Sequence, residues 1–175
     1  MIPVGQIEAS QYQGRCEIIH ELVVSQIDVQ KIDAKLRADQ LTLTLENTEQ
    51  KEWLQNEIAN LISLKSIEPV QILESSHSVD IISYNEGKNK IIPFFSQMLN
   101  VKELPENILF IGDRGLWPGN DFALLNNSFS LSVDKVSLSK NKCWNIASPG
   151  KKNTEALLEY LNSINFGDNG FHIKI

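Results

Sequence analysis

The stretch Ile108-Leu109-Phe110-Ile111-Gly112-Asp113-Arg114-Gly115-Leu116-Trp117-Pro118-Gly119-Asn120-Asp121-Phe122 constrains the fold of this chain more than any other. Its apolar opening, Asn107 to Ile111, is short enough to read as a buried strand, and it stops at Gly112-Asp113. The stretch carries three glycines (Gly112, Gly115 and Gly119) and bends back after the strand, and a second acid, Asp121, opens a helix expected over 121–125. Open α/β sheets bind ligands at the carboxyl ends of their strands, which is where this pattern delivers Asp113. Two carboxylates converging there suit a hard cation such as Mg²⁺, which prefers oxygen ligands and keeps substrate phosphate in its shell. Amides of the loop and helix start add donors for an anion. Each acid also has an ordinary job, since Asp ends strands and caps helices. By itself the stretch supports both readings equally.

Lys88 weighs for the first. It begins a helix that runs back toward the Asp113 strand, so both residues can reach one sheet edge. A lysine beside a carboxylate pair is a point charge suited to phosphoryl oxygens.

The rest of the chain reads as alternating elements. Cys16 to Val24 fits a helix or a buried strand, and Ile27 to Leu36, with Ile32 and Leu36 four apart, reads as helix. Leu41-Thr42-Leu43-Thr44-Leu45 alternates strictly, as a strand with one buried face does. Asn47 with Gln50 three residues on resembles a capping box before a helix whose Leu54, Ile58, Leu61 and Ile62 share a face. Pro69 marks a turn. Strands are expected over Val70–Leu73 and Val79–Ile82, and the connector Tyr84-Asn85-Glu86-Gly87 divides the chain into residues 1–86 and 87–175. Beyond it, a helix presents Ile91, Ile92, Phe95 and Leu99 on one face, with Pro93 tolerable in the first turn. A strand near Phe129–Val133 and a helix over Thr154–Leu161 follow. Such alternation predicts an α/β fold with a parallel sheet.

Composition excludes several classes. The 175 residues carry 16 Lys+Arg against 22 Asp+Glu, a net charge of −6, with 42% hydrophobic and 22% charged residues. That is an ordinary globular composition, and its acidity argues against nucleic acid as a partner. Cys16 and Cys143 form no Cys-x-x-Cys pair, so neither a disulfide framework nor a zinc site is expected. The first residues do not read as a signal peptide, and no apolar run approaches the ~18 residues of a membrane span. A cytoplasmic protein without a membrane partner is the expectation. His20, His77 and His172 lie far apart and read as ordinary histidines, with substrate contact a minor alternative for His77. Trp53 reads as helix-face packing, whereas Trp117 and Trp144 fall in loops.

The lysine, the Gly-Asp strand end and the Asn-Asp helix start together resemble the haloacid dehalogenase (HAD) superfamily of phosphatases. The likeness is to the C-terminal portion of members with a large α/β cap, and it covers about residues 40–165. Val79-Asp80-Ile81-Ile82 resembles the last strand of such a cap. The resemblance implies an incomplete HAD-like (Rossmannoid) parallel sheet in 87–175 with a cap-like α/β segment in 1–86. It implies Lys88 (or Lys90) as the catalytic lysine, Asp113 and Asp121 as holders of Mg²⁺, and Asn120 orienting phosphate or Asp113. The substrate would be a small phosphorylated metabolite. Two departures stand out. Leu116-Trp117-Pro118-Gly119 lengthens the loop between the acids, and the chain holds no Asp-x-Asp, the family's nucleophile motif. The expectation is therefore a chain that is inactive alone, its nucleophile segment truncated or supplied by another polypeptide, with an exposed sheet edge that favours a homo-oligomer. The alternative is a non-catalytic binding or interaction protein with a degenerate HAD core.

Overall fold

The computed structural model describes residues 13–27, 32–37, 40–65, 67, 70–84, 87–100, 108–167 and 170–174. Pro69, Asn85, Glu86 and Asn107, all used in the sequence argument, lie outside the described residues. The chain divides into two compact units, 1–86 and 87–175.

The first unit is a four-stranded antiparallel sheet with two helices on one face. Strands β1 (Ile32–Leu36), β2 (Gln40–Leu45), β3 (Val70–Glu74) and β4 (Ser78–Ser83) lie in the order β1-β2-β4-β3. The Leu-Thr alternation of β2 explains the layer. Leu41, Leu43 and Leu45 are buried, while Thr42 and Thr44 lie on the opposite face. Leu41 pairs with Ile81 and Leu43 with Val79 across to β4. Helix α1 (Gln13–Gln26) packs Cys16, Ile19 and Val23 on them, and α2 (Lys51–Leu64) adds Leu54 and Ile58. Truncating Ile19, Leu41, Leu43, Leu54 or Ile58 to Ala costs about 2–5 kcal/mol. Asn47 Oδ1 accepts the Glu49 N–H at 2.9 Å and opens a 3-10 turn, Thr48–Gln50, that feeds α2.

Two expectations are corrected here. In place of the helix expected over Ile27–Leu36, α1 ends at Gln26 and Ile32–Leu36 is a strand, residues 28–31 lying outside the described residues. The period-2 set Ile32, Ala34 and Leu36 pairs with Leu45, Leu43 and Leu41, so it joins the core face of β2. Trp53 is 48% exposed rather than packed.

In the second unit, β5 (Phe110–Arg114) and β6 (Ser130–Lys135) pair in parallel. The chain between them carries α4 (Phe122–Leu125). Phe110, Leu125 and Cys143 form a cluster on one side, with Ile92 of α3 (Ile91–Leu99) against it. Leu131, Val133, Ala156 and Tyr160 form another, with Ile111 against it, where α5 (Asn153–Ser163) covers β6. A sheet apolar on both faces with helices against it is the parallel α/β arrangement. Strand β5 runs on through Gly112-Asp113 to Arg114, with an irregularity in its pairing to β6 there. A hairpin of β7 (Ile164–Gly167) and β8 (Gly170–Ile173) follows α5 and had no counterpart in the sequence reading. Among the described residues no helix is long and apolar enough to cross a membrane.

Candidate active site

The four residues singled out in the second half of the chain meet at the carboxyl end of β5. A short 3-10 turn, Lys88–Lys90, precedes α3 and places Lys88. The Lys88 ammonium is ion-paired with Asp121 Oδ1 and lies 3.5 Å from Asn120 Oδ1. Asp121 Oδ2 accepts two backbone N–H groups, from Asp113 at 2.8 Å and from Arg114 at 3.3 Å. Asp121 is 3% exposed. It precedes α4 without capping it, since its side chain makes no cap hydrogen bond. The ordinary reading of this acid as a helix cap is thereby set aside.

The lengthened loop does not keep the acids apart. It folds into successive turns, Gly119 N–H donating to the Leu116 carbonyl at 2.7 Å and Phe122 N–H to the Gly119 carbonyl at 3.0 Å. Trp117, 54% exposed, stands edge-on to Phe122 with ring centroids 5.5 Å apart. Gly112 is what admits Asp121. A Cβ at this position would lie 2.5 Å from Asp121 Oδ2 and 2.7 Å from its Cγ. No side chain fits there without moving the carboxylate.

The electrostatics divide the pair. Burial, then the hydrogen bond and the charge of Asp121, push the Asp113 carboxyl above the usual carboxylate range, against the opposing pull of Arg114 and Lys88. Burial also pushes Asp121 upward. The Lys88 ammonium and the Asp113 N–H outweigh it and hold Asp121 below that range.

These observations test the fit to Mg²⁺. Two neighbouring carboxylates, one of them raised by burial and by the charge of the other, are relieved by a small cation or a proton. The Asp113 side chain is 42% exposed and keeps oxygen accessible to a metal. Asp121 is committed on both oxygens and fits a place behind Asp113 rather than in front. Among the described residues no group of three His, Cys, Asp or Glu gathers as a complete metal site. The residues present fit part of a hard-cation site, with the remaining ligands to come from elsewhere.

Residue chemistry and spacing single out these side chains but not two other contributors, the N–H groups of Asp113 and Arg114 and the space left by Gly112. The only trace of them in the sequence is a glycine directly before the first acid. His77 lies in the β3–β4 turn, its Nε2 3.2 Å from Ser76 Oγ.

No family model and no curated protein sequence matches the chain. Solved structures do. It is similar to the sucrose-phosphatase of Synechocystis, solved with sucrose and phosphate, with a TM-score of 0.56 at 16% identity over 87% of this chain and 64% of that one. It is also similar to an IMP-bound mutant of the IMP-nucleotidase of Plasmodium falciparum, with a TM-score of 0.51 at 17% identity over 73% of this chain and 34% of that one. The chain thus spans under two thirds of the length of either. At such identities the likeness defines the fold: a HAD-like α/β fold with a parallel sheet and a separate antiparallel one.

Proposed function

We propose that residues 87–175 form the C-terminal part of the active site of a Mg²⁺-dependent, HAD-type phosphatase acting on a small phosphorylated metabolite, with residues 1–86 as its cap. The single observation that carries this reading is the Lys88–Asp121–Asp113 arrangement. One buried carboxylate joins a lysine ammonium to the backbone of a half-exposed acid at a strand's carboxyl end. The similarity to two phosphate-ester hydrolases, a sucrose-phosphatase and an IMP-nucleotidase, supports it.

In this reading each side chain has a stated task. Asp121 fixes the Lys88 ammonium, and Lys88 meets the charge that develops on a phosphoryl group. Asp121 also orients Asp113 through its amide, and Asp113 holds the metal. Asn120, within reach of Lys88, orients the phosphate or Asp113. Bound Mg²⁺ would supply neutralisation of phosphoryl oxygens. The nucleophile belongs to an Asp-x-Asp segment that is not among these 175 residues. Among the described residues β5 pairs only with β6, which leaves its other edge for a further strand.

Turnover of an aryl phosphate tests the reading. The 175-residue chain alone should give none. Adding an Asp-x-Asp strand segment, in cis or as a separate chain, should give Mg²⁺-dependent hydrolysis that Asp113→Ala abolishes and Lys88→Ala lowers mainly in kcat. Robust hydrolysis by the 175 residues that survives Asp113→Ala overturns it. If no added segment gives turnover although Mg²⁺ and phosphate bind at Asp113 and Lys88, the second reading holds, a binding protein on a HAD-like core.

A further inference from the structure

The loop segment Leu116-Trp117-Pro118-Gly119 takes no part in the Lys88–Asp121–Asp113 arrangement, yet its position is closely fixed. Asp121 holds the N–H groups of Asp113 and Arg114 at one end of the loop, and the Leu116–Gly119 and Gly119–Phe122 turns close the other. Gly119 is folded so tightly against Arg114 that a Cβ there would lie 2.3 Å from the Arg114 carbonyl oxygen. Such a loop carries its outer residues as a fixed projection from the carboxyl end of β5.

Two of those residues are apolar and open to water. Leu116 is 42% and Trp117 54% exposed, whereas Gly115 and Gly119 on either side are buried. An indole that merely sealed the sheet edge would be enclosed. Trp117 is instead braced edge-on by Phe122 with half its surface in solvent. It is three residues from Asn120, at most about 11 Å along the chain, and the Leu116–Gly119 turn shortens that span. Asn120 Oδ1 lies 3.5 Å from the Lys88 ammonium, so a phosphoryl group held at Lys88 has Trp117 for a neighbour. Trp144 is also exposed but lies on the edge of β6 away from β5, with its indole N–H donated to the Lys140 carbonyl at 3.0 Å.

The chemistry of the segment narrows what it can hold. Leu116, Trp117 and Pro118 bring no carboxylate, amide or hydroxyl side chain, so they offer little to the many hydroxyls of a sugar. A flat aromatic ring needs only a face to stack on, and both rings shed water when it does. We propose that Trp117 is a specificity-determining residue that stacks on the leaving group, and that the site takes phosphate monoesters whose leaving group is an aromatic ring rather than a sugar or a short alkyl chain. The proposal rests on the phosphatase reading, because Lys88 must hold the phosphoryl group.

The test is a titration of the isotope-labelled 175-residue chain, with Mg²⁺ present, against methyl phosphate, phenyl phosphate and glucose 6-phosphate, followed by amide and indole N–H chemical shifts. Phenyl phosphate should bind about fivefold or more tightly than either of the others. It should also move the Trp117 indole resonance, which methyl phosphate should leave in place. Trp117→Ala should abolish the preference for phenyl over methyl phosphate, and Trp117→Phe should retain most of it. The preference is a ratio taken within one protein, so a general change in phosphate affinity does not imitate the result. Equal binding of the two esters, a preference that persists in Trp117→Ala, or tightest binding of glucose 6-phosphate overturns the proposal and leaves the phosphatase reading standing. If none of the three compounds shifts residues 88 and 120–121, the phosphatase reading falls and this proposal with it.

Discussion

Asp121 Oδ2 lies 2.8 Å from the backbone nitrogen of Asp113 and accepts its N–H, although eight residues and a turn-rich loop separate them in sequence. Through this bond the acid at the strand end and the acid at the helix start become one unit. With the Lys88 ammonium on its other oxygen, Asp121 links two chain segments 33 residues apart. A carboxylate that accepts two N–H groups and an ammonium has its charge shared among three donors, which is how it tolerates near-complete burial.

Gly112→Ala should disturb this link directly. The added Cβ meets the Asp121 carboxylate at 2.5 Å. Urea unfolding should show a loss of about 1–3 kcal/mol, the usual cost of overpacking. The amide resonances of Asp113 and Arg114 should move further than those of any residue in 13–84. An alanine variant as stable as the parent, with those resonances in place, contradicts the geometry.

Tyr160 provides a second structural test away from the site. Fully enclosed, its hydroxyl accepts the N–H groups of Ile146 at 3.1 Å and Ala147 at 3.2 Å, and donates toward the Ser132 carbonyl at 3.0 Å. Tyr160→Phe keeps the ring and strips the Ile146 N–H of this acceptor, whereas the Ala147 N–H keeps a second one in Asn145 Oδ1 at 3.1 Å. Stability should fall by about 1–3 kcal/mol, the cost of unsatisfied enclosed polar groups. A change well under 1 kcal/mol in thermal or urea unfolding would mean that water replaces the hydroxyl.

The pattern of expectations met and missed has physical causes. The Leu-Thr alternation of β2 was legible because one face is enclosed and the other is not. The same rule missed β1: Ile32 and Leu36 satisfy a helical spacing as well as a strand spacing, and only pairing with Leu45 and Leu41 decides between them. The β7–β8 hairpin was missed although Phe171-His172-Ile173-Lys174 alternates, because its strands are four residues long and none of their residues is fully enclosed, Phe166 being 83% exposed. Within the site, Lys88, Asp113, Asn120 and Asp121 could be chosen by chemistry and spacing. That Asp121 binds amides instead of capping α4 could not, because it depends on the depth of the space above Gly112.

Glu159 predicts an acid-dependent loss of stability. The Lys151 ammonium first, then the hydroxyl and N–H of Ser148, hold its carboxyl down at about 2. A folded-state value below the unfolded one means the stabilisation is present above the ordinary glutamate range of about 4.3 and is lost as pH falls through about 2. Thermal melts between pH 5 and pH 2 should therefore show a decline in the parent that is shallower in Glu159→Gln. Parallel curves for the two proteins contradict the assignment.

The most direct test of the account is whether Mg²⁺ and phosphate meet at Lys88 and Asp113. Inorganic phosphate titrated into the isotope-labelled 175-residue chain, with and without Mg²⁺, reads this without requiring turnover. The account predicts that the two ligands strengthen each other's binding and that the shifts centre on residues 88, 113–114 and 120–121. Asp113→Ala should remove the Mg²⁺ response, and Lys88→Ala should weaken phosphate. Shifts centred elsewhere in the chain, or identical phosphate binding in the parent and in Lys88→Ala, would contradict the placement of the active site.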